Sequence, residues 1–97
     1  MATVTSLESK LVKNFTDLRV YQLAFEVSLE VHRASLEFPK AERFGLTSQI
    51  QRASKSICAN IAEGFGRQKF SDAEFNRFLA IAAGSAEEMK VWMDYAL

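Results

Sequence analysis

The sequence predicts an all-α protein, an antiparallel up-down helical bundle with three long helices visible in the chain. Three observations predict it. Apolar residues recur at helical spacing through three segments, about residues 17–37, 47–65 and 72–97. The single proline, Pro39, falls in the gap between the first two segments. Capping residues stand where the second and third segments begin. The expected organisation is a flexible N-terminal arm over residues 1–14 and one helical bundle domain over residues 15–97.

Residues 1–14 are polar and weakly patterned and are expected to form a frayed arm with room for a helical turn around Leu7 to Val12. Phe15-Thr16-Asp17 reads as a helix start, Thr16 capping and Phe15 packing on Val20. The first long helix carries a charged line, Arg19, Gln22, Glu26, Glu30, Arg33 and Glu37. Two apolar stripes lie opposite: Val20, Ala24, Val27, Val31, Ala34, Phe38, and Leu18, Tyr21, Phe25, Leu29, His32, Leu36. Together they span roughly 220°, well beyond the ~100° that one core contact requires. Such a helix needs neighbours on two sides. Phe38-Pro39 ends it, because the residue before proline is pushed out of the helical region.

A connector over 39–45 follows, with Gly45 permitting a sharp bend. Thr47 or Ser48 is expected to cap the second helix, Ser48 forming a capping box with Gln51. This helix has an apolar stripe, Leu46, Ile50, Ala53, Ile57 and Ile61. Beside it runs a polar seam, Gln49, Arg52, Ser56, Asn60, Glu63 and Arg67, within an arc of roughly 80°. Gly64 and Gly66 are both suited to a left-handed terminator.

The third helix opens on a capping box of Ser71 and Glu74, a staple of Phe70 and Phe75, and Asp72 at the positive end of the helix dipole. Its seam is Phe75, Leu79, Ala82, Ala86, Met89, Met93 and Ala96. Small residues from Ala80 to Ala86, Gly84 included, suit a closely approaching helix. The apolar pattern continues to Leu97, so a further helix is expected to be missing from the chain or supplied by another copy.

Composition bounds the function. Twelve basic and twelve acidic residues among 97 cancel, so there is no bulk charge to draw nucleic acid or anionic membrane, and any such binding must come from local clustering. One cysteine, Cys58, and one histidine, His32, leave no intramolecular disulfide and no ready metal set. No apolar run approaches the ~20 residues of a membrane span and no signal pattern opens the chain, which points to a cytoplasmic protein.

FTDLRVYQLA, FPKAERFGLTSQIQRASKSICANIAEGFGR and FLAIAAGSAEEM resemble the "four helix bundle protein" family, also called the 23S ribosomal RNA intervening-sequence proteins. The resemblance covers roughly residues 15–97. Its most specific part is Ser56-Ile57 through Asn60-Ile61-Ala62-Glu63-Gly64 to Gly66-Arg67. A branch related to that family is the accessory variability protein of diversity-generating retroelements, which binds nucleic acid. The resemblance implies a four-helix-bundle subunit and a barrel-like homopentamer.

No residue pattern demands catalysis. His32 sits on an apolar stripe with no serine or cysteine placed beside it, so it reads as a core or interface histidine. Cys58 lies on a small-residue face and reads as packed and inert. Adjacent Glu87 and Glu88 point in different directions on a helix. Gly64-Phe65-Gly66 lacks the strand and lysine of a phosphate loop. No catalytic residue, cofactor or metal is expected. The basic residues Arg43, Arg52, Lys55, Arg67 and Lys69 cluster around the second helix and are the candidate nucleic-acid contacts, to RNA or DNA. The polar seam is either an interface between helices or subunits, or a ligand surface. The leading reading is a non-enzymatic oligomer that associates with nucleic acid or ribonucleoprotein. The alternative is a structural or protein-interaction scaffold with no nucleic-acid role. An enzyme reading needs a bound metal or a carboxylate pocket around His32.

Overall fold

The computed structural model describes residues 4–42 and 45–96. Among the described residues there are four α-helices and no strand: α1 (Val4–Leu11), α2 (Arg19–Ser35), α3 (Leu46–Arg67) and α4 (Asp72–Ala96). Single 3-10 turns, Phe15–Asp17 and Lys40–Glu42, precede α2 and α3. The all-α bundle expected from the apolar periodicity is the one observed.

The middle helix organises the molecule. α3 packs along α4 on one side and along α2 on the other, while α2 and α4 hardly meet. The result is an open three-helix layer, 45 × 20 × 17 Å. Leu18, Ile61, Phe75 and Ala82 form the core cluster, sealed by Phe15, Val20, Tyr21, Ala24, Ile57 and Leu79. The ring of Phe15 meets Tyr21 edge-on at 4.9 Å, and Tyr21 stacks on Phe25 at 5.9 Å.

Several local expectations resolve differently. Part of the stretch expected as a flexible arm forms α1. Its polar side chains tie it to distant parts of the chain. Lys10 pairs with Asp72 at 3.1 Å, and Ser9 bonds to Gln68. The Glu8 carboxylate accepts the Arg19 N–H at 2.7 Å and so caps α2 from outside the helix. Thr16 caps nothing; instead Asn14 accepts the Thr16 N–H and caps the 3-10 turn. Phe70 stands 71% exposed rather than closing a staple over Phe75. The Ser71 hydroxyl does accept the Glu74 N–H at 3.0 Å, which begins α4 as expected. No side chain caps α3, whose N-cap is Gly45. His32 is exposed in the single chain.

The glycines exchange roles. α3 runs through Gly64 and Gly66 to Arg67, and no described glycine has positive φ. At Gly64 α3 and α4 approach closely. A Cβ there would lie 2.8 Å from the Phe78 Cβ and 3.0 Å from the Phe75 Cδ1. Gly84, expected to permit close packing, faces open space within the chain. The two alanine substitutions are therefore expected to shift stability in opposite directions. Gly84→Ala gains up to about 1 kcal/mol of helix propensity. Gly64→Ala meets the same gain with an overpacking cost of about 1–3 kcal/mol, because a Cβ attached to backbone cannot swing aside. Thermal denaturation of the two variants reads the difference. A stabilised Gly64→Ala variant would refute the close approach.

Candidate functional site

An apolar groove runs between α2 and α4, with α3 as its floor. Its volume is about 500 Å³. Ile57 and Ile61 form the floor; Val20, Leu23, Ala24 and Val27 form one wall; Leu79, Ala82, Ala83, Ala86 and Met89 form the other. The groove exists because α3 presents isoleucines a turn apart between the two lines that meet its neighbours. Small residues keep the α4 wall low. α2 also carries a second uncovered flank on its opposite side, where Phe25, Leu29 and Leu36 are exposed. A helix with apolar surface on both sides of its contact with α3 is what the 220° arc, estimated roughly from the pattern, leads one to expect.

The polar seam divides into a packed centre and exposed ends. Ser56 meets Ser85 of α4 hydroxyl to hydroxyl at 2.9 Å. The Asn60 amide donates back to the Ser56 carbonyl at 2.8 Å and to its hydroxyl at 3.0 Å. Gln49, Arg52, Glu63 and Arg67 are exposed, and Arg67 pairs with Glu63 at 3.3 Å.

The candidate basic residues do not form one patch. Arg43 lies outside the described residues. Arg52 and Lys55 are exposed on the α3 surface turned away from the isoleucine floor. Arg67 is fifteen residues beyond Arg52, roughly 22 Å along the helix axis. The turn from α3 to α4 brings a different group together. The Arg67 guanidinium lies 5.6 Å from the centre of the Phe78 ring and the Arg77 guanidinium 4.6 Å from it. Lys69 lies 5.2 Å over the exposed Phe70 ring. Each is a cation–π contact, and near solvent such a contact is worth about 0.5–1 kcal/mol. Sequence reading missed Arg77, because only the antiparallel return of α4 places it beside Arg67; Phe70, next to Lys69 in the chain, was expected to close a staple instead. Arg77 also pairs with Glu74 at 3.1 Å, and that hydrogen bond holds the carboxyl below its ordinary pKa. The folded state thus gains from this pair above the carboxyl's unfolded-state pKa and loses the gain on acidification.

Cys58 borders a small hollow with Tyr21, Phe25 and Lys55. Burial pushes its thiol pKa up, opposed by a hydrogen bond from Ser28. The neutral thiol is favoured in the folded protein. Alkylation by iodoacetamide near pH 8.5, about the ordinary thiol pKa, is expected to run several-fold slower than in the urea-unfolded chain. Equal rates, measured by mass spectrometry, would mean that the side chain is freely hydrated.

Among the described residues no group of histidine, cysteine and carboxylate side chains could hold a metal ion. No described helix is long and apolar enough to cross a membrane. A family profile described as 23S rRNA-intervening sequence protein matches residues 16–97. The chain belongs to that family. No curated protein and no solved structure matches it at a significant level. The family match covers α2, α3 and α4, which supply every lining residue of the groove except Thr5 of α1, and α1 lies before it.

Proposed function

We propose that this 23S rRNA-intervening sequence protein is a non-enzymatic assembly module that self-associates through its uncovered apolar surfaces and holds nucleic-acid phosphates with its exposed cations. The groove between α2 and α4 carries the reading. At about 25 cal/mol per Å² of apolar surface, leaving such walls in water forfeits stabilisation that a sister helix would recover. The flank of Phe25, Leu29 and Leu36 faces away from the groove, so one added helix cannot cover both. Closed rings satisfy such two-sided demand, and the family resemblance supports five copies. Light scattering on the intact protein tests this part. A multiple of the 10.9 kDa chain mass is expected, and a stable single copy at micromolar concentration would overturn it.

Nucleic-acid contact rests on Arg67, Lys69 and Arg77 at the α3–α4 turn, with Arg52 and Lys55 on the outer face of α3 and Arg43 as a further cation. The exposed Phe70 ring beside Lys69 offers a base a stacking surface, worth about 1–3 kcal/mol per base where it is used. Binding is expected to be sequence-tolerant and to weaken steeply with salt. Fluorescence anisotropy with a short single-stranded RNA near 50 mM salt, about where phosphate contacts are strong, is the measurement. The triple variant Arg67→Ala, Lys69→Ala, Arg77→Ala is expected to lose most of the signal. No binding by the wild-type oligomer, with RNA or DNA, would remove this part. The scaffold reading is favoured by one observation: Arg67 and Arg77 are already paired with Glu63 and Glu74. It requires the triple variant to bind nucleic acid no differently from wild type.

A further inference from the structure

One end of the apolar groove is occupied. Thr5 of α1 lines it together with residues of α2, α3 and α4. Polar contacts fasten α1 there. Lys10 pairs with Asp72 at 3.1 Å, the Ser9 hydroxyl donates to the Gln68 side chain, and the Glu8 carboxylate accepts the Arg19 N–H at 2.7 Å. These partners lie where α2 and α4 begin. Thr5, about one turn further back along α1, therefore stands over the end of the groove marked by Val20 and Leu79. From Leu79 to Met89 the α4 wall is roughly 15 Å long, and a helix with its side chains is about 10–12 Å across. A sister helix cannot lie along the whole wall while α1 holds one end of it.

The hold is weak by construction. α1 turns Thr5, Glu8 and the buried Ser9 inward, whereas Leu7 and Leu11 are 53% and 86% exposed. Apolar burial, the main force that keeps a helix on a core, hardly acts on it. The Lys10 and Asp72 side chains are 51% and 40% exposed, and ion pairs so wet add little. Nor can α1 hold itself together. It has eight residues, and isolated helices shorter than about 12–15 residues are marginal in water. Once undocked it unwinds. Val12, partly buried against the core just beyond α1, fixes the point about which the segment swings.

We propose that α1 is a releasable strap on the groove: it must leave the Val20–Leu79 end before a second copy of this chain seats there, so its docking holds self-assembly in check. The inference rests on the self-association reading and adds its regulation. Apparent affinity scales with the fraction of chains whose groove is open. Cutting a tether raises that fraction and tightens assembly. An α1 that merely supports the fold or the interface predicts the opposite sign. α1 precedes the residues that the family profile matches, so the groove walls belong to the matched region and the strap does not.

Two full-chain variants release the strap without touching a groove wall. Lys10→Glu sets a like charge against Asp72. Ser9→Glu forces a carboxylate into a buried position beside Gln68 and is the stronger of the two. Amide hydrogen exchange over Glu8 to Leu11 reads docking, and light scattering across a dilution series reads assembly. Both variants are expected to lose α1 protection, keep that of α3 and α4, and assemble about three- to tenfold more tightly than wild type. Lys13→Glu makes the same change of charge beyond the end of α1 and is expected to leave assembly unchanged. Lost α1 protection with unchanged or weaker assembly, in a wild type that does assemble, would overturn the strap alone. Full α1 protection in Ser9→Glu would overturn it too, because these contacts would then not be what holds α1. If neither wild type nor variants associate at any concentration, the self-association reading fails and takes the strap with it.

Discussion

Replacing Phe75 by alanine is expected to remove about 3–5 kcal/mol of folding stability, the largest loss from any single truncation in this chain. The ring is fully buried, at 0% exposure, in the cluster with Leu18, Ile61 and Ala82. It stands against Gly64 of α3, where a Cβ would lie 3.0 Å from the Phe75 Cδ1 and 3.4 Å from the Phe75 backbone oxygen, so the two helices are already close there and have little room to close over a cavity. Cavities that cannot collapse give the upper end of the range. A small domain has about 5–15 kcal/mol in all, so the variant is expected to be partly unfolded at physiological temperature. Phe70→Ala is the matched control. That ring is 71% exposed and its loss is expected to stay within about 0.5 kcal/mol. Urea denaturation followed by circular dichroism, at one fixed protein concentration, measures both. A loss below about 1.5 kcal/mol for Phe75→Ala would show that the α3–α4 contact relaxes and is not the rigid centre of the fold.

How far the sequence discloses this architecture depends on the range of the interaction concerned. Apolar periodicity is a property of neighbouring residues, and it locates α2, α3 and α4 to within about two residues, the usual uncertainty of helix ends. The double-width apolar arc of the first long helix is likewise local, and it anticipates flanks on both sides of α2. The glycines were not legible. A glycine near the end of a helix serves equally as a terminator or as a point of close approach, and only the position of Phe78 decides for Gly64. α1 was not legible either, because its polar residues are tied to partners some sixty positions away, Lys10 to Asp72 and Ser9 to Gln68. The basic residues show the reverse error. Nearness in sequence suggested one cluster, but a 22-residue helix holds Arg52 and Lys55 far from Arg67 and Lys69. The grouping of Arg67 with Arg77 around Phe78 follows from the antiparallel turn and leaves no mark in the spacing of either helix alone.

Placing a charge in the groove separates folding from assembly. Val27 forms part of the α2 wall and is 46% exposed in the single chain. Val27→Asp is therefore expected to leave the helical content intact, since the carboxylate stays hydrated in an isolated subunit and makes no clash with α3. Once a sister helix fills the groove, the same carboxylate loses its water without gaining a partner. An unpaired buried charge costs several kcal/mol, and each 1.4 kcal/mol is about tenfold in a dissociation constant, so assembly is expected to weaken by roughly a hundredfold or more. Glu26→Ala, on the charged line next to it, removes a charge without touching either apolar flank and is expected to leave assembly unchanged. Light scattering across a dilution series reads the mass of each variant, and circular dichroism confirms that the helices persist. If Val27→Asp assembles as wild type does, the groove is not the surface through which copies meet. If it unfolds instead, the groove is closed from within a single chain, and self-association must be assigned to the opposite flank of Phe25, Leu29 and Leu36.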